Sequence, residues 1–297
     1  MRKEIGRLLT AMITPFDQQG EIDYTQAKTL ARALLASGSD GVIVAGTTGE
    51  SPTLTRQEQT RLFVEIKKTV MDAGSVIAGT GSNSTLEALN YTKDAEEAGV
   101  DGVLLVVPYY NKPTQEGLYQ HFKAIAENTS LPCILYNVPS RTITSLSAET
   151  TIRLSEIPNI VGIKEASGDF EKIASIIGSA SSGFRVWSGN DADTFHVLCL
   201  GGYGVISVAS HLVGMQIKTM IKMLVDGSLD GAAKEHIRLL PIFNGIFVVA
   251  NPIPIKYGVN KAGFQVGHPR LPLTKPDGAT SDFLDNLFDQ YHIDLSI

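Results

Sequence analysis

Of the fifteen lysines in the chain, one stands in line with an apolar run, Ile160-Val161-Gly162-Ile163-Lys164-Glu165. Burying an ammonium there is costly unless it is paired or neutral. The same penalty leaves more of the side chain as free amine, which can attack a carbonyl carbon and form a Schiff base. Lys164 is therefore a candidate nucleophile; the competing reading is an ion pair with Glu165 or another carboxylate. The other lysines fall mostly on helical faces or in loops, where a solvated charge explains them.

Three further clusters could serve such an amine. Gly46-Thr47-Thr48-Gly49-Glu50-Ser51 follows an apolar run and precedes a helix. Its small residues let backbone N–H groups and two hydroxyls converge on an anion, a carboxylate or almost equally a phosphate, although a plain Gly-rich turn with a Thr or Ser cap has the same composition. Tyr136-Asn137-Val138-Pro139-Ser140-Arg141-Thr142 combines a phenol that can relay protons with a guanidinium that can grip a carboxylate by two parallel bonds. A core tyrosine and a surface arginine are the bland alternative. Pro108-Tyr109-Tyr110-Asn111 adds two phenols that suit loop packing or a subunit contact as well as chemistry. The runs 188–191 and 201–207 are rich in small residues and leave room for a ligand or a phosphate.

Reactive groups at the ends of apolar runs need a scaffold that gathers those ends. Eight runs read as buried parallel strands, because Val and Ile continue without polar alternation: residues 8–14, 41–45, 75–79, 102–107, 132–137, 160–164, 184–188 and 204–208. Between them lie amphipathic stretches such as 57–70 and 85–98, with Thr55 and Ser84 as N-caps and Gly38 and Gly99 as stops. Strand and helix alternating eight times predict an α/β fold, a (β/α)8 barrel, over residues 1–225. Residues 226–297 carry no strand signal. Helices are expected over 227–246 and 280–292, with a Pro- and Gly-rich stretch between them, as a small helical extension of the barrel.

Composition narrows the function classes. With 43% apolar and 19% charged residues, the 297-residue chain has material for a large core. A net charge of −6 without a basic run disfavours nucleic acid or an anionic membrane as partner. The N-terminal residues lack a signal-peptide pattern and no apolar stretch approaches the roughly 20 residues of a spanning helix, so a cytoplasmic protein is expected. Cys133 and Cys199, both in apolar runs, are expected to be buried, reduced thiols. The six histidines are dispersed without metal-ligand spacing, so no metal is expected.

The ordered set GTTGES at 46–51, PYYN at 108–111, YNVPSRT at 136–142 and GIKEASGD at 162–169 resembles the dihydrodipicolinate synthase family. Thr14-Pro15-Phe16, Gly204-Val205-Ile206-Ser207 and Asn251-Pro252-Ile253-Pro254 extend the likeness over essentially the whole chain. The resemblance implies that Lys164 forms an imine with pyruvate, that Thr47 and Thr48 hold its carboxylate, and that the enamine attacks L-aspartate-4-semialdehyde. The product would be 4-hydroxy-tetrahydrodipicolinate, on the route to diaminopimelate and lysine, with no cofactor. Thr48, Tyr136 and Tyr110 would relay protons, Tyr110 from across a dimer interface. Arg141 would hold the semialdehyde carboxylate, and backbone at Gly189 and Ile206 would line the pyruvate pocket. A homotetramer, a dimer of dimers, is implied.

Two positions depart from the family's usual pattern, Asn190 for Asp and Tyr203 for His. A lysine effector site would map onto Ser51, Pro52, Arg56, Gln59, Asn83, Glu87 and Tyr109, but Arg56 and Gln59 stand where inhibited members often carry histidine, and an added cation opposes binding of lysine. Sister families, the N-acetylneuraminate lyases and keto-deoxy-sugar-acid aldolases or dehydratases, share the lysine and tyrosine; Arg141 favours the dicarboxylate reading over these. A barrel that merely binds a small carboxylate is the alternative from another class.

Overall fold

The eight apolar runs form eight parallel strands: β1 (Leu8–Ala11), β2 (Gly41–Val44), β3 (Ser75–Gly79), β4 (Gly102–Val106), β5 (Cys133–Asn137), β6 (Ile160–Glu165), β7 (Arg185–Ser188) and β8 (Gly204–Ser207). The computed structural model describes residues 4–296. The strands pair in sequence order, and β8 pairs back onto β1, with Leu9 opposite Ile206, so the sheet closes into a (β/α)8 barrel.

Each strand is buried on both faces, and alternation decides what each face meets. Leu9, Ile43, Ile77, Leu104, Ile134, Tyr136, Trp187 and Ile206 point inward and pack with one another. Their neighbours Leu8, Val42, Val76, Val103, Leu135, Ile163, Val186 and Val205 point outward to the helices. Trp187 is wholly buried and donates its indole N–H to the Gly6 carbonyl at 3.0 Å, so its ring closes the end of the barrel where the strands begin. Gly162 makes room for it, since a Cβ there would come within 2.6 Å of that ring.

The surrounding helices are α1 (Tyr24–Ala36), α2 (Arg56–Val70), α3 (Thr85–Glu97), α4 (Gln115–Glu127), α5 (Pro139–Thr142), α6 (Ala148–Leu154), α7 (Phe170–Ser179), α8 (Thr194–Cys199) and α9 (Ser210–Val225). Thr55 caps α2 through a reciprocal box with Glu58, and Ser84 caps α3. Gly38 and Gly99 follow α1 and α3 at φ +110° and +75°, a backbone region that disfavours other residues. Leu30 and Leu34 of α1 and Phe63 and Ile66 of α2 are fully buried, each worth roughly 1.5–3 kcal/mol of transfer free energy. None of the described helices is long and apolar enough to cross a membrane.

After Val225 come α10 (Leu229–Gly245), α11 (Ile253–Lys261) and α12 (Gly278–Phe288), with no further strand among the described residues. The helix α11 corrects the expectation of a plain Pro- and Gly-rich connection. Its prolines mark a start rather than a break, because Pro254 lies in the first turn, where no intrahelical N–H bond is needed. Cys133 is buried as expected, whereas Cys199 is exposed. The run around Cys199 is helical, so only the face bearing Val197 is buried, and Cys199 and Leu200 are turned outward.

Candidate active site

Lys164 sits near the C-terminal end of β6, only 5% exposed, and its register partner on β5 is Tyr136. Inward columns on adjacent strands meet, so the amine lies 4.2 Å from the centre of the Tyr136 ring. The competing ion pair with Glu165 does not form. Successive strand residues face opposite ways, and Glu165 points out of the barrel, where both its oxygens accept from Asn137 Nδ2 at 2.9 and 3.0 Å and Oε1 also accepts from the Ser167 N–H. Burial raises the Glu165 carboxyl above its usual range, against these hydrogen bonds. Lys164 has no ion-pair partner among the described residues, although its charge acts on the buried carboxyl of Asp191. Burial likewise raises Asp191, and Ser207 Oγ and the Val208 and Ala209 N–H groups oppose that by donating to it.

The turn after β2 brings Thr47 and Thr48 to the mouth of the barrel. Glu50 adopts a left-handed conformation at φ +59°, which turns the chain into the short helical segment Ser51–Thr53. The Glu50 side chain is buried and holds the turn from below, with Oε2 accepting from the Arg270 N–H at 2.9 Å and Oε1 paired to Lys256 of α11. Thr48 is 2% exposed and its hydroxyl oxygen accepts from Asn251 Nδ2 at 2.9 Å. Thr47 is more open and lines a cavity of about 380 Å³ together with Val138 and Arg141.

Arg141 lies on α5, a single turn that Pro139 starts directly after β5. Its guanidinium is exposed and donates to the Asn251 carbonyl at 3.4 Å, which leaves most of its fork free. Gly189 follows β7, and its N–H donates to the Glu165 carbonyl at 2.7 Å; a Cβ there would come within 2.6 Å of Ala166, so only glycine allows β6 and β7 this approach. Ile206 is fully buried on the inner face of β8.

Tyr110 is the outlier, 89% exposed and directed away from its own barrel. It occupies the centre of a three-residue turn closed by Asn111 N–H to the Tyr109 carbonyl at 2.9 Å, with φ at +73°. That conformation is strained for a bulky residue and presents the phenol outward.

The cavity shared by Thr47 and Arg141 is also lined by Ser51, Pro52, Gln59, Glu87 and Tyr109, five of the seven positions expected of an effector site. Asn83 stands beside it and donates to the Tyr109 carbonyl. Arg56 does not reach in: its guanidinium binds Asp94 through two bonds of 2.5 and 2.7 Å, so its charge is already met. Tyr203 lies at the opposite end of the barrel, its ring edge-on to Trp187, and Asn190 donates to Asp193. Among the described residues no group of His, Cys, Asp and Glu could hold a metal ion. Asn251, Asp191 and Glu50 lie in runs noted in the sequence, but their partners Thr48, Ser207 and Lys256 are reached across distances in the chain that no local pattern reveals.

Comparison with known proteins gives one answer. Residues 4–290 match the model of the dihydrodipicolinate synthetase family. A 4-hydroxy-tetrahydrodipicolinate synthase of Dehalococcoides mccartyi is 61% identical over 295 residues, 99% of each chain. A crystal structure of the synthase from Cyanidioschyzon merolae with lysine bound superposes with a TM-score of 0.95 at 47% identity, covering 96% of this chain and 98% of the other. That of dihydrodipicolinate synthase from Aquifex aeolicus reaches 0.95 at 39% identity over 99% and 100%.

Proposed function

The chain belongs to the dihydrodipicolinate synthetase family, and we propose that the amine of Lys164 carries the reaction for which its relatives are named. That reaction condenses pyruvate with L-aspartate-4-semialdehyde to give 4-hydroxy-tetrahydrodipicolinate, a step of diaminopimelate and lysine biosynthesis. Lys164 Nζ adds to the pyruvate keto carbon, water leaves, and an imine forms. Loss of a methyl proton gives the enamine, whose carbon attacks the aldehyde. The amine of the second substrate then closes the ring on the imine carbon and displaces Lys164.

The observation that supports this assignment is an amine 4.2 Å from the Tyr136 ring, buried inside the barrel and free of any ion pair among the described residues. Tyr136 is the proton carrier next to the imine. Thr47 opens onto the cavity that Arg141 lines and Thr48 is enclosed, so we move the relay hydroxyl from Thr48 to its neighbour and give Thr48 the pyruvate carboxylate. Arg141 clamps the semialdehyde carboxylate by a bidentate contact. Gly189 and Ile206 wall the pocket.

Tyr110 completes the relay in a neighbouring subunit, which requires at least a dimer; we propose a dimer of dimers. Its exposure and strained backbone support that role. For the effector cleft we propose free lysine, with Glu87 meeting its ammonium; Asp94 removes the repulsion that Arg56 would otherwise exert. The described part of the C-terminal extension, residues 226–296, steadies the mouth through Asn251, Lys256 and Arg270.

Mass spectrometry after incubation with pyruvate and borohydride tests the assignment. A reduced pyruvyl adduct on Lys164 is expected; an adduct elsewhere, or none, refutes it.

A further inference from the structure

Asn251 comes from the C-terminal extension, 203 positions from Thr48 in the chain, yet it touches both groups that would receive a carboxylate. It is 5% exposed. Its Nδ2 donates to the Thr48 hydroxyl oxygen at 2.9 Å, and its main-chain carbonyl accepts from Arg141 Nη2 at 3.4 Å.

An amide nitrogen can only donate, so the Thr48 oxygen is bound to accept. Thr48 makes no other side-chain hydrogen bond among the described residues, which leaves its single proton uncommitted. A hydroxyl whose oxygen is already taken by a donor can offer only that proton, and its partner has to be an acceptor. Among the described residues the Asn251 Oδ1 atom is buried without a partner, so the bond to Thr48 is the only hydrogen bond there that orients the amide. We propose that Asn251 is a positioning residue that fixes Thr48 as a hydrogen-bond donor toward the carboxylate of the 2-oxo acid, and that its backbone steadies Arg141 for the carboxylate of the second substrate. This rests on the assignment of the Thr47-Thr48 turn to the first carboxylate.

The consequence is selectivity for an anion rather than general support of the fold. Replacing Asn251 by Leu keeps the side-chain shape and removes the donor, so Thr48 is free to rotate its proton away from the site. The pyruvate concentration for half-maximal borohydride trapping on Lys164 should rise about fivefold to tenfold, part of the worth of one hydrogen bond to a charged group, since the Thr48 hydroxyl is still present but no longer held. Trapping of methyl pyruvate, with the same ketone and no carboxylate, should stay within about twofold on the same scale. Asn251→Asp, which offers Thr48 only acceptors in its ionised form, should show the same discrimination or more.

In a Thr48→Val background the Asn251→Leu change should have almost no further effect, because its partner has gone. Equal weakening toward pyruvate and methyl pyruvate, or effects of the two substitutions that multiply independently, would overturn the proposal. Thr48→Val alone reports on the underlying assignment: if it leaves pyruvate trapping unchanged, the carboxylate does not rest on that hydroxyl. A shift with Thr48→Val but none with Asn251→Leu or Asn251→Asp leaves that assignment standing and removes Asn251 from it.

Discussion

Lys256 Nζ lies 2.6 Å from Glu50 Oε1, and both side chains are almost wholly enclosed. The pair joins α11 to the turn that carries Thr47 and Thr48, and Phe16 covers it, with the ammonium 3.9 Å from the ring centre. Burial brings the Lys256 ammonium down to about 8 even though Glu50 pulls it upward. Such a pair stabilises little overall against two apolar side chains, but a lone survivor is expensive. Lys256→Met should lower stability by about 3–5 kcal/mol, and Lys256→Met with Glu50→Gln by clearly less. Urea unfolding of the three proteins checks this; equal losses in single and double variants would contradict the coupling.

Lys164→Ala should reduce turnover by about a thousandfold or more, as removal of a covalent nucleophile does elsewhere. The cavity left is small and a buried polar group without an ion-pair partner is removed, so the melting temperature should hold or rise. Loss of the borohydride adduct with pyruvate, measured in the same preparation, ties the loss to the imine.

Arg141→Ala should leave pyruvate trapping nearly unchanged and raise KM for the semialdehyde by about tenfold to a hundredfold, the worth of a charged bidentate contact. Steady-state kinetics with each substrate varied in turn separates the two steps. Equal damage to both would move Arg141 out of the acceptor site.

Tyr110→Phe should lower kcat while pyruvate trapping persists. Mixed subunits give the sharper test: refolding Tyr110→Phe chains with Lys164→Ala chains should restore part of the activity, since one barrel keeps its amine and receives an intact phenol from its neighbour. No recovery in the mixture, with hybrid oligomers present, argues that the phenol serves its own chain.

Acid should weaken the fold through His211. This ring is fully buried; its Nε2 accepts from the Ile13 N–H at 3.2 Å, so Nδ1 carries the proton and meets the Val208 carbonyl at 2.9 Å. Burial lowers its pKa from 6.5 to about 4. Between those values the unfolded chain binds a proton that the folded one refuses, so stability is full above pH 6.5 and falls as pH drops toward 4, by about 3 kcal/mol for this group. His121, also brought to about 4 by burial, adds in the same direction. Urea unfolding at pH 7.5 and 4.5 should show a smaller decline in His211→Gln than in the parent chain.

The barrel was legible because parallel strands buried on both faces leave uninterrupted Val and Ile, and the helix ends carried their own chemistry in Thr55, Ser84, Gly38 and Gly99. A run that is apolar on both faces hides the alternation of its side chains, and that alternation is what separates Lys164 from Glu165. The helix α11 was hidden because Pro252 and Pro254 look like breakers when their position in the first turn is unknown. Lys164, Tyr136 and Arg141 could be singled out because each ends or follows a strand. Asn251 could not, since its partner Thr48 belongs to another end of the chain and the bond exists only after the tail folds over the mouth.

Trp187 gives the chamber a sealed floor. With that end filled, Lys164 is to be approached from the ends of the strands where Thr47 and Arg141 stand, and a larger guest lodged there should bar the small keto acid. Excess aldehyde should then slow turnover in competition with the keto acid, because the indole leaves no second way in from below.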